Sequence, residues 1–384
     1  MYNFEKLFEV IDSKREEYLK FIREVVEIES PTSSKEGVDA VGRYFIEKAK
    51  KHNWKIEIFP QKIAGDVVVI TMNPEIDNKP FCLSGHMDTV HPVGLFGDPC
   101  VRVEGNKMIG PGITDCKGGC VNAFWAMDAL EQTGYKDRPV MLLLQSDEET
   151  SSRESNKATV NYIVERSKNA VGFFNLEGCL VEDAATVERK GIAKFEFTVR
   201  GESAHASKCF LGASAITEAA YKIIELERYK DPDGITFSCG TMQGGTVTNT
   251  VPDKCVFTLD TRFNNKEQYE EIKKFVEKTA KESHIKNTTC EVKEVSVRES
   301  MSRSELNYKF LDRVNEALKK AGLGELKGIK GTGGSDAAYV SLAGIPVIDS
   351  VGAPGGKVHN PEEYMEIEKF PLSTKRIAAA IADI

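Results

Sequence analysis

Short apolar segments that alternate with helical patterns constrain the fold of this chain most strongly. Four of them are almost free of charged residues: "GDVVVITM" (65–72), "PFCLSG" (80–85), "PVMLLLQS" (139–146) and "NAVGFFNLE" (169–177). Strands that are apolar on both sides belong to a sheet whose two faces are covered. The helical patterns at about 3–28 and 36–52, and another that begins near Lys117, supply that cover. The first 190 residues therefore predict an α/β domain.

A different pattern begins at Gly191. Strands such as "AKFEFTVRG" and "KCVFTLDTRF" alternate apolar and polar residues, and the order along the chain is strand, helix, strand, strand, helix, strand. This order is typical of a small antiparallel sheet with two helices on one face, the ferredoxin-like α+β arrangement. The first pattern returns after about residue 302. We therefore predict one domain made of residues 1–190 and 302–384, with a second domain, residues 191–301, inserted into it.

Charge and apolar patterning argue against two classes of partner. The chain has 59 acidic and 51 basic residues, a formal net charge of −8, and no basic cluster of the kind that binds nucleic acid. No segment approaches the roughly 20 apolar residues that span a bilayer, and the N-terminal stretch is charged throughout. The nine cysteines include no CxxC pair, which favours reduced thiols. We expect a cytoplasmic protein without a nucleic-acid or membrane partner.

Polar side chains follow the predicted strands at the point where each strand ends. His86 and Asp88 follow the second apolar segment, Glu148 and Glu149 follow the third, and Glu177 follows the fourth. In an α/β sheet, ligands bind beyond the carboxyl ends of the strands. Taken singly, each residue has an ordinary interpretation as a hydrogen-bonded or surface group. Taken together, they predict a cluster of acids and imidazole on one edge of the sheet.

Two further segments add to this cluster. "GPGITDCKGG" (110–119) carries Asp115 in a glycine-rich loop before a helix, where an N-cap would be the simpler interpretation, and "APGGKVHNPEEY" (353–364) carries His359. Two imidazoles and several carboxylates suit a divalent metal, with zinc as the first choice and manganese or cobalt as alternatives. Two ions bridged by one carboxylate would use the whole set.

The motifs "GHMDTVHP", "GPGITDCKGG", "QSDEE", "NLEG", "GESAHAS", "GGTVTNTVP", "DTRF", "GTGGSDAAY" and "VHN", in this order, resemble the M20 family of metallopeptidases and amidohydrolases. The resemblance extends from about residue 20 to 380 and is closest to the glutamate carboxypeptidase branch. It implies a zinc-peptidase-like mixed sheet flanked by helices. It also implies that the inserted ferredoxin-like domain serves as a lid and as a dimerisation surface.

The resemblance implies a role for each clustered residue. His86 would bind one ion and His359 the other, Asp115 would bridge both, and Glu149 and Glu177 would each complete the ligands of one ion. Asp88 would accept a hydrogen bond from His86 and so orient the imidazole. Glu148 would then act as the general base and acid. Cys116 and Cys120 lie close to Asp115 in sequence, but the ligand set is complete without them, and we expect them to be packing residues.

The inserted domain and a late loop would complete the site. In the family pattern, His205 of "GESAHAS" reaches the partner subunit's active site and stabilises the tetrahedral oxyanion. Asn249 and Arg262 match positions that hold the carboxylate of the substrate. "GTGGSDAAY" lacks the lysine of a phosphate-binding loop, so we expect Gly333 and Gly334 to let backbone amides approach the substrate.

The sequence thus predicts a dimeric hydrolase with two divalent metal ions, which cleaves an amide or peptide bond next to a free carboxylate. Release of a C-terminal amino acid such as glutamate is the first expectation. An N-acyl amino acid amidohydrolase or a dipeptidase is the alternative. A catalytically inactive metal-binding relative is a further alternative, but such a protein has no need of an acid at Glu148 beside the ligand Glu149.

Overall fold

A computed structural model describes residues 2–384, which divide into two compact units. The first unit contains the residues up to Val187 together with Arg303–Lys330 and Ser335–Ile384. The second unit contains Glu188–Ser302 and the short segment Gly331–Gly334. The assignment of a catalytic role to one domain and a lid role to the other stays a prediction.

The helices and strands alternate along most of the chain. The helices are α1 (Phe4–Ser13), α2 (Arg15–Val26), α3 (Lys35–Lys50), α4 (Gly118–Gln132), α5 (Ala158–Arg166), α6 (Ala215–Leu226), α7 (Lys266–Lys281), α8 (Glu305–Lys320), α9 (Ala337–Leu342) and α10 (Phe370–Asp383). The strands are β1 (Lys55–Phe59), β2 (Val67–Met72), β3 (Phe81–His86), β4 (Arg102–Glu104), β5 (Lys107–Ile109), β6 (Val140–Gln145), β7 (Gly172–Asn175), β8 (Ala184–Arg189), β9 (Gly191–Arg200), β10 (Thr236–Gly244), β11 (Lys254–Phe263), β12 (Thr289–Arg298), β13 (Lys327–Gly331), β14 (Val347–Asp349), β15 (Gly355–Gly356) and β16 (Tyr364–Glu366).

An eight-stranded sheet forms the centre of the first unit, in the order β1-β2-β6-β3-β7-β14-β8-β13. Strands β6, β3, β7 and β14 run parallel to one another, and β2 and β8 join them antiparallel on either side. Every residue of β2, β3, β6 and β7 is buried, because helices cover the sheet: α3 packs on β2, α4 on β3 and β6, and α8 on β14. The predicted mixed α/β fold is confirmed.

The parallel strands bring their carboxyl ends to one edge of this sheet. His86 at the end of β3 lies opposite Gln145 at the end of β6, and Asn175 at the end of β7 lies opposite Asp349 at the end of β14. The segments that follow these strands therefore emerge side by side.

Two features of the first unit differ from the sequence prediction. The single helix predicted over 3–28 is two helices, α1 and α2, with a break at Lys14 (φ −101°, ψ 8°). The Lys14 ammonium lies 2.6 Å from the carboxylate of Asp128, which is buried in α4, so the residue at the break is tied to α4. A second sheet, β15-β16-β5-β4, consists of strands of two or three residues, too short to show a periodic pattern.

The second unit is an antiparallel sheet, β10-β11-β9-β12, with α6 and α7 packed on it. Residues of β9 alternate between buried and more exposed, and the buried side joins a core that contains the stacked rings of Phe197 and Phe257. The element order is the one predicted, and the role of this unit as a lid stays a prediction. All nine cysteines of the chain are free thiols. Within residues 2–384, no helix has both the length and the apolar character needed to cross a membrane.

Candidate metal centre

Asp115 lies between the two histidines that the sequence singled out. Its Oδ1 atom is 3.0 Å from Nε2 of His86, and its Oδ2 atom is 3.1 Å from Nε2 of His359. Each oxygen of one carboxylate thus faces a different imidazole, which is the arrangement that a bridging ligand between two ions requires.

Each imidazole also has a glutamate beside it. Oε2 of Glu149 is 3.4 Å from Nε2 of His359, and Oε1 of Glu177 is 3.9 Å from Nε2 of His86. The ligand atoms of His86, Asp115 and Glu149 all lie within 4.8 Å of one another, and so do those of His86, Glu148 and Glu177. Imidazole nitrogens with carboxylate oxygens suit zinc and similar divalent ions, so the donors present fit the implied metals.

Asp88 connects three parts of the site. Its backbone oxygen is 2.9 Å from Nδ1 of His86, closer than its carboxylate at 3.4 Å. The fully buried carboxylate instead accepts the backbone N–H groups of Glu148 and Glu149, at 3.2 and 3.1 Å, and the hydroxyl of Thr32 at 2.7 Å. Asp88 therefore orients the imidazole and also fixes the turn that carries both glutamates. No local sequence pattern distinguishes Thr32, because its partner lies 56 positions away.

Close packing fixes the loop that carries Asp115. This residue lies in the turn Ile113–Lys117, directly before α4, and the peptide bond that follows it is cis. A Cβ atom at Gly119 would lie 2.0 Å from the backbone oxygen of Leu176, so only glycine allows the start of α4 to approach the end of β7 this closely. Burial raises the pKa of the Cys116 thiol well above its ordinary value, which keeps it neutral and agrees with packing rather than ligation.

His359 lies in the loop between β15 and β16. Its φ of 61° is left-handed, a conformation that a residue with a Cβ atom adopts only when its surroundings hold it there. Its side chain is 56% exposed, whereas that of His86 is 2% exposed. The His86 imidazole is therefore buried at the edge of the sheet, whereas the His359 imidazole lies on an exposed, strained turn.

In the metal-free protein, burial and mutual hydrogen bonds shift the pKa values of the residues in this cluster. Hydrogen bonds to Asp115 and Glu149 raise the pKa of His359 to about 10. Burial would lower the pKa of His86, but its hydrogen bonds to Asp115 and Asp88 outweigh burial and raise it well above its ordinary value. Burial would raise the pKa of Asp115, yet hydrogen bonds from both imidazoles hold it well below its usual range. Burial, with the Asp115 charge, raises the pKa of Glu149 to about 7. The imidazoles therefore hold protons where metal ions would bind.

Glu363 is a buried residue of this centre that the sequence analysis did not identify. Its Oε1 atom accepts the backbone N–H groups of Thr114 and Asp115, at 2.8 and 3.0 Å, and its Oε2 atom lies 2.8 Å from Nε2 of His91. In the sequence it is the second acid of "PEEY", and such a pair is typical of a solvated surface. Only its burial in the structure distinguishes it from Glu362.

The second unit brings His205 and Asn249 together. The backbone of His205 pairs with that of Thr250, and the backbone N–H of Ala206 donates to the backbone oxygen of Asn249 at 2.8 Å. The His205 ring is exposed, and Nδ1 lies 2.8 Å from the Ser207 hydroxyl. This pair of segments lies beyond the Lys254 end of β11.

Arg262 lies near the other end of β11, about 26 Å from Lys254 at the usual rise of a strand. Its guanidinium pairs with Asp260, with Nε 2.7 Å from Oδ1, and Nη1 donates to the backbone oxygen of Thr332 at 3.3 Å. The predicted glycines follow Thr332. A Cβ atom at Gly334 would lie 2.2 Å from Cδ of Arg298, so a larger residue there would have to displace the Arg298 side chain. His205 with Asn249, and Arg262 with the glycines, thus form two separate groups on one sheet.

A third group of acids and histidine lies away from the centre. His52 Nδ1 is 2.7 Å from the carboxylate of Glu131, which also accepts the indole N–H of Trp54 at 2.7 Å. Asp128 beside them pairs with Lys14 at 2.6 Å. These contacts join Lys14, between α1 and α2, and the segment between α3 and β1 to α4.

Known proteins resemble this chain over most of its length. The sequence profile described as "Peptidase family M20/M25/M40" matches residues 82–383 and confirms the resemblance drawn from the motifs. Carboxypeptidase G2 of Pseudomonas sp. (strain RS-16) is 29% identical over 387 residues, which cover 98% of this chain and 92% of that protein.

Solved structures share the fold. A tripeptidase from Staphylococcus aureus superposes with a TM-score of 0.79 at 20% identity and covers 100% of this chain and 98% of that one. The YxeP protein of Bacillus subtilis, described as a dinuclear metal-binding peptidase, superposes with a TM-score of 0.68 at 17% identity, over 97% and 98% of the two chains.

Proposed function

The chain belongs to peptidase family M20/M25/M40, and from this premise we propose that it is a two-metal hydrolase of the carboxypeptidase type. It cleaves an amide or peptide bond next to a free carboxylate and releases a C-terminal amino acid such as glutamate. The observation that carries the proposal is the Asp115 carboxylate, whose two oxygens face the imidazoles of His86 and His359. The similarity to carboxypeptidase G2 over nearly the whole chain supports the choice of bond.

Five residues would hold the ions: Asp115 between them, His86 with Glu177 on one side, and His359 with Glu149 on the other. Zinc is our first choice and manganese or cobalt the alternatives, because all three accept imidazole and carboxylate ligands. When bound, the ions lower the pKa of a water molecule and polarise the carbonyl group of the scissile bond.

Glu148 performs the proton transfers. Its backbone N–H is fixed by the buried Asp88 carboxylate, and its side chain lies within reach of His86 and Glu177. We assign Glu149 to the metal and leave Glu148 to accept a proton from the attacking water and to give it to the leaving nitrogen. An acid in this position has a purpose in catalysis and none in simple metal storage, which favours the enzyme over an inactive relative.

Two copies of the chain are needed if all predicted residues serve one substrate. Arg262 lies near one end of β11 and the His205–Asn249 pair lies beyond the other end, about 26 Å or more away. A dipeptide-sized substrate does not span that distance. We therefore propose a homodimer formed through the second unit, in which Arg262 binds the substrate carboxylate and a partner copy supplies His205 to the oxyanion. A cytoplasmic location remains a prediction from the sequence.

The first experiment measures hydrolysis directly. Zinc-loaded protein is incubated with dipeptides, N-acyl amino acids and folyl- or pteroyl-glutamates, and free amino acids are detected by mass spectrometry. Glu148→Ala serves as the blank, and Glu154→Ala, which changes an acid of the same segment that pairs with Arg153, is the matched control. We expect release that requires metal and Glu148. Release from N-acyl amino acids alone would select the alternative substrate, and release unaffected by Glu148→Ala with metal bound would refute the mechanism.

A mixed dimer tests the use of two copies. Glu148→Ala and His205→Ala chains are each expected to be inactive, and a mixture should recover part of the wild-type rate because some sites then contain both groups. Mixing Glu148→Ala with Asp115→Ala is the control, since both residues belong to the same unit and no site regains them. Equal rates in the two mixtures would contradict the proposed exchange.

A further inference from the structure

Glu363 joins the segment that follows His86 to the two loops that carry Asp115 and His359. It lies four residues after His359, its Oε1 atom accepts the backbone N–H of Asp115 at 3.0 Å, and its Oε2 atom contacts His91, five residues after His86. Its side chain is fully buried.

The backbone around Glu363 strengthens this connection. Its oxygen accepts the N–H of Gly110 at 3.1 Å, and its own N–H donates to the oxygen of Asn360 at 2.9 Å. β16, which begins at the next residue, pairs with β5, which ends just before the Asp115 loop. The loop carrying His359 therefore ends, and the loop carrying Asp115 begins, at adjacent strands, and the Glu363 side chain connects the two loops.

A buried carboxylate is a costly group unless hydrogen bonds satisfy it. The Glu363 carboxylate has three hydrogen-bond partners: the backbone N–H groups of Thr114 and Asp115, and the imidazole of His91, a residue that is 4% exposed. The backbone N–H groups of Thr114 and Asp115 are directed at it, so the carboxylate determines the backbone position of the bridging residue. His359 has a strained backbone with φ of 61°, and such a turn holds its place only when the surrounding contacts fix it.

We propose that Glu363, assisted by His91, is a positioning residue that sets the distance between Asp115 and His359 and thereby the affinity of the two-metal centre. The proposal rests on the function proposed above for that centre. Glu363 does not touch the metal or the substrate. It acts through the backbone of Asp115 and through the turn that carries His359.

The test compares metal binding by four full-length proteins. Glu363→Ala removes the acceptor, and Glu363→Gln keeps an oxygen for the backbone N–H groups and offers an amide to His91. Glu362→Ala is the matched control, since this neighbouring acid is 59% exposed and pairs with Lys357. Zinc stoichiometry and affinity are measured by competition with a chromophoric chelator, without substrate, and each metal-free protein is followed through thermal unfolding.

We expect wild type and Glu362→Ala to bind two zinc ions with equal affinities. Glu363→Ala should bind zinc on the order of 10–100-fold more weakly, and Glu363→Gln should stay within a few-fold of wild type. With a substrate found in the panel above, Glu363→Ala should lower kcat and leave KM within about threefold, because substrate contacts are unchanged. Wild-type zinc affinity in Glu363→Ala would overturn the proposal.

Two outcomes separate this proposal from the function on which it rests. A wild-type protein that binds no zinc, manganese or cobalt would overturn both. A wild-type protein that binds two ions, with Glu363→Ala unchanged, would overturn only the role of Glu363. If Glu363→Ala does not fold, His91→Ala decides: several-fold weaker zinc binding by His91→Ala supports the proposal, and wild-type zinc binding by His91→Ala refutes it.

Discussion

Metal binding should release protons, and the structure indicates how many. The raised pKa values of His86 and His359 mean that both imidazoles hold protons at pH 7 in the metal-free protein. Both must lose them to bind metal, so at least two protons leave. Glu149, with a pKa of about 7, adds about half of one, and Glu177, whose pKa burial raises well above its ordinary value, adds to this release. Because the metal-free form holds the extra protons, acid weakens binding. The combined association constant should rise at least about 100-fold for each pH unit near pH 7.

Calorimetric titration of metal-free protein with zinc measures this release. The observed enthalpy is plotted against the ionisation enthalpy of the buffer, and the slope gives the number of protons exchanged. His359→Asn should reduce the slope by about one proton. His284→Ala, which changes an exposed histidine of the second unit, should leave it unchanged. A release near zero, or an affinity that does not change between pH 6 and pH 8, would refute the protonated cluster.

Three further changes have defined outcomes. Asp88→Asn should weaken zinc binding on the order of 10-fold or more, as measured by chelator competition, because the amide NH2 group replaces one of the two oxygens that accept the N–H groups of Glu148 and Glu149; unchanged affinity would show that the backbone oxygen alone orients His86. Glu218→Ala leaves Lys222 fully buried without its carboxylate 3.0 Å away, and the free energy of unfolding in urea should fall by about 3–5 kcal/mol; a wild-type free energy of unfolding would contradict a stabilising role for this pair. Gly119→Ala places a Cβ atom 2.0 Å from the backbone oxygen of Leu176. It should lower the free energy of unfolding by about 1–3 kcal/mol and should also weaken zinc binding. A wild-type melting temperature would contradict this packing.

The sequence predicted the sheet and the edge at which the candidate site lies, because strands such as β3 and β6 are apolar at almost every residue and end in acids or histidine. Asp115 was found in the same way, from a glycine-rich turn before a buried helix. These signals are local, so a single sequence contains them.

Thr32 and Glu363 escaped prediction because nothing near them in the chain distinguishes them. Their partners lie 56 and 248 positions away, and a threonine in a loop or a second glutamate on a turn has no local pattern. The break at Lys14 was missed for the same reason, since Asp128, the ion-pair partner of Lys14, lies 114 positions along the chain. The short strands β15 and β16 have too few residues to show a period.

The position of β14 has a consequence for how the molecule is made. This strand, residues Val347–Asp349, lies between β7 and β8, near the middle of the sheet, although it is the last strand of that sheet to leave the ribosome. Until it is inserted, the earlier strands have an open edge of unpaired backbone groups. His359 follows β14 in the chain, so if it binds metal as proposed, the two-metal centre can form only after β14 has been made.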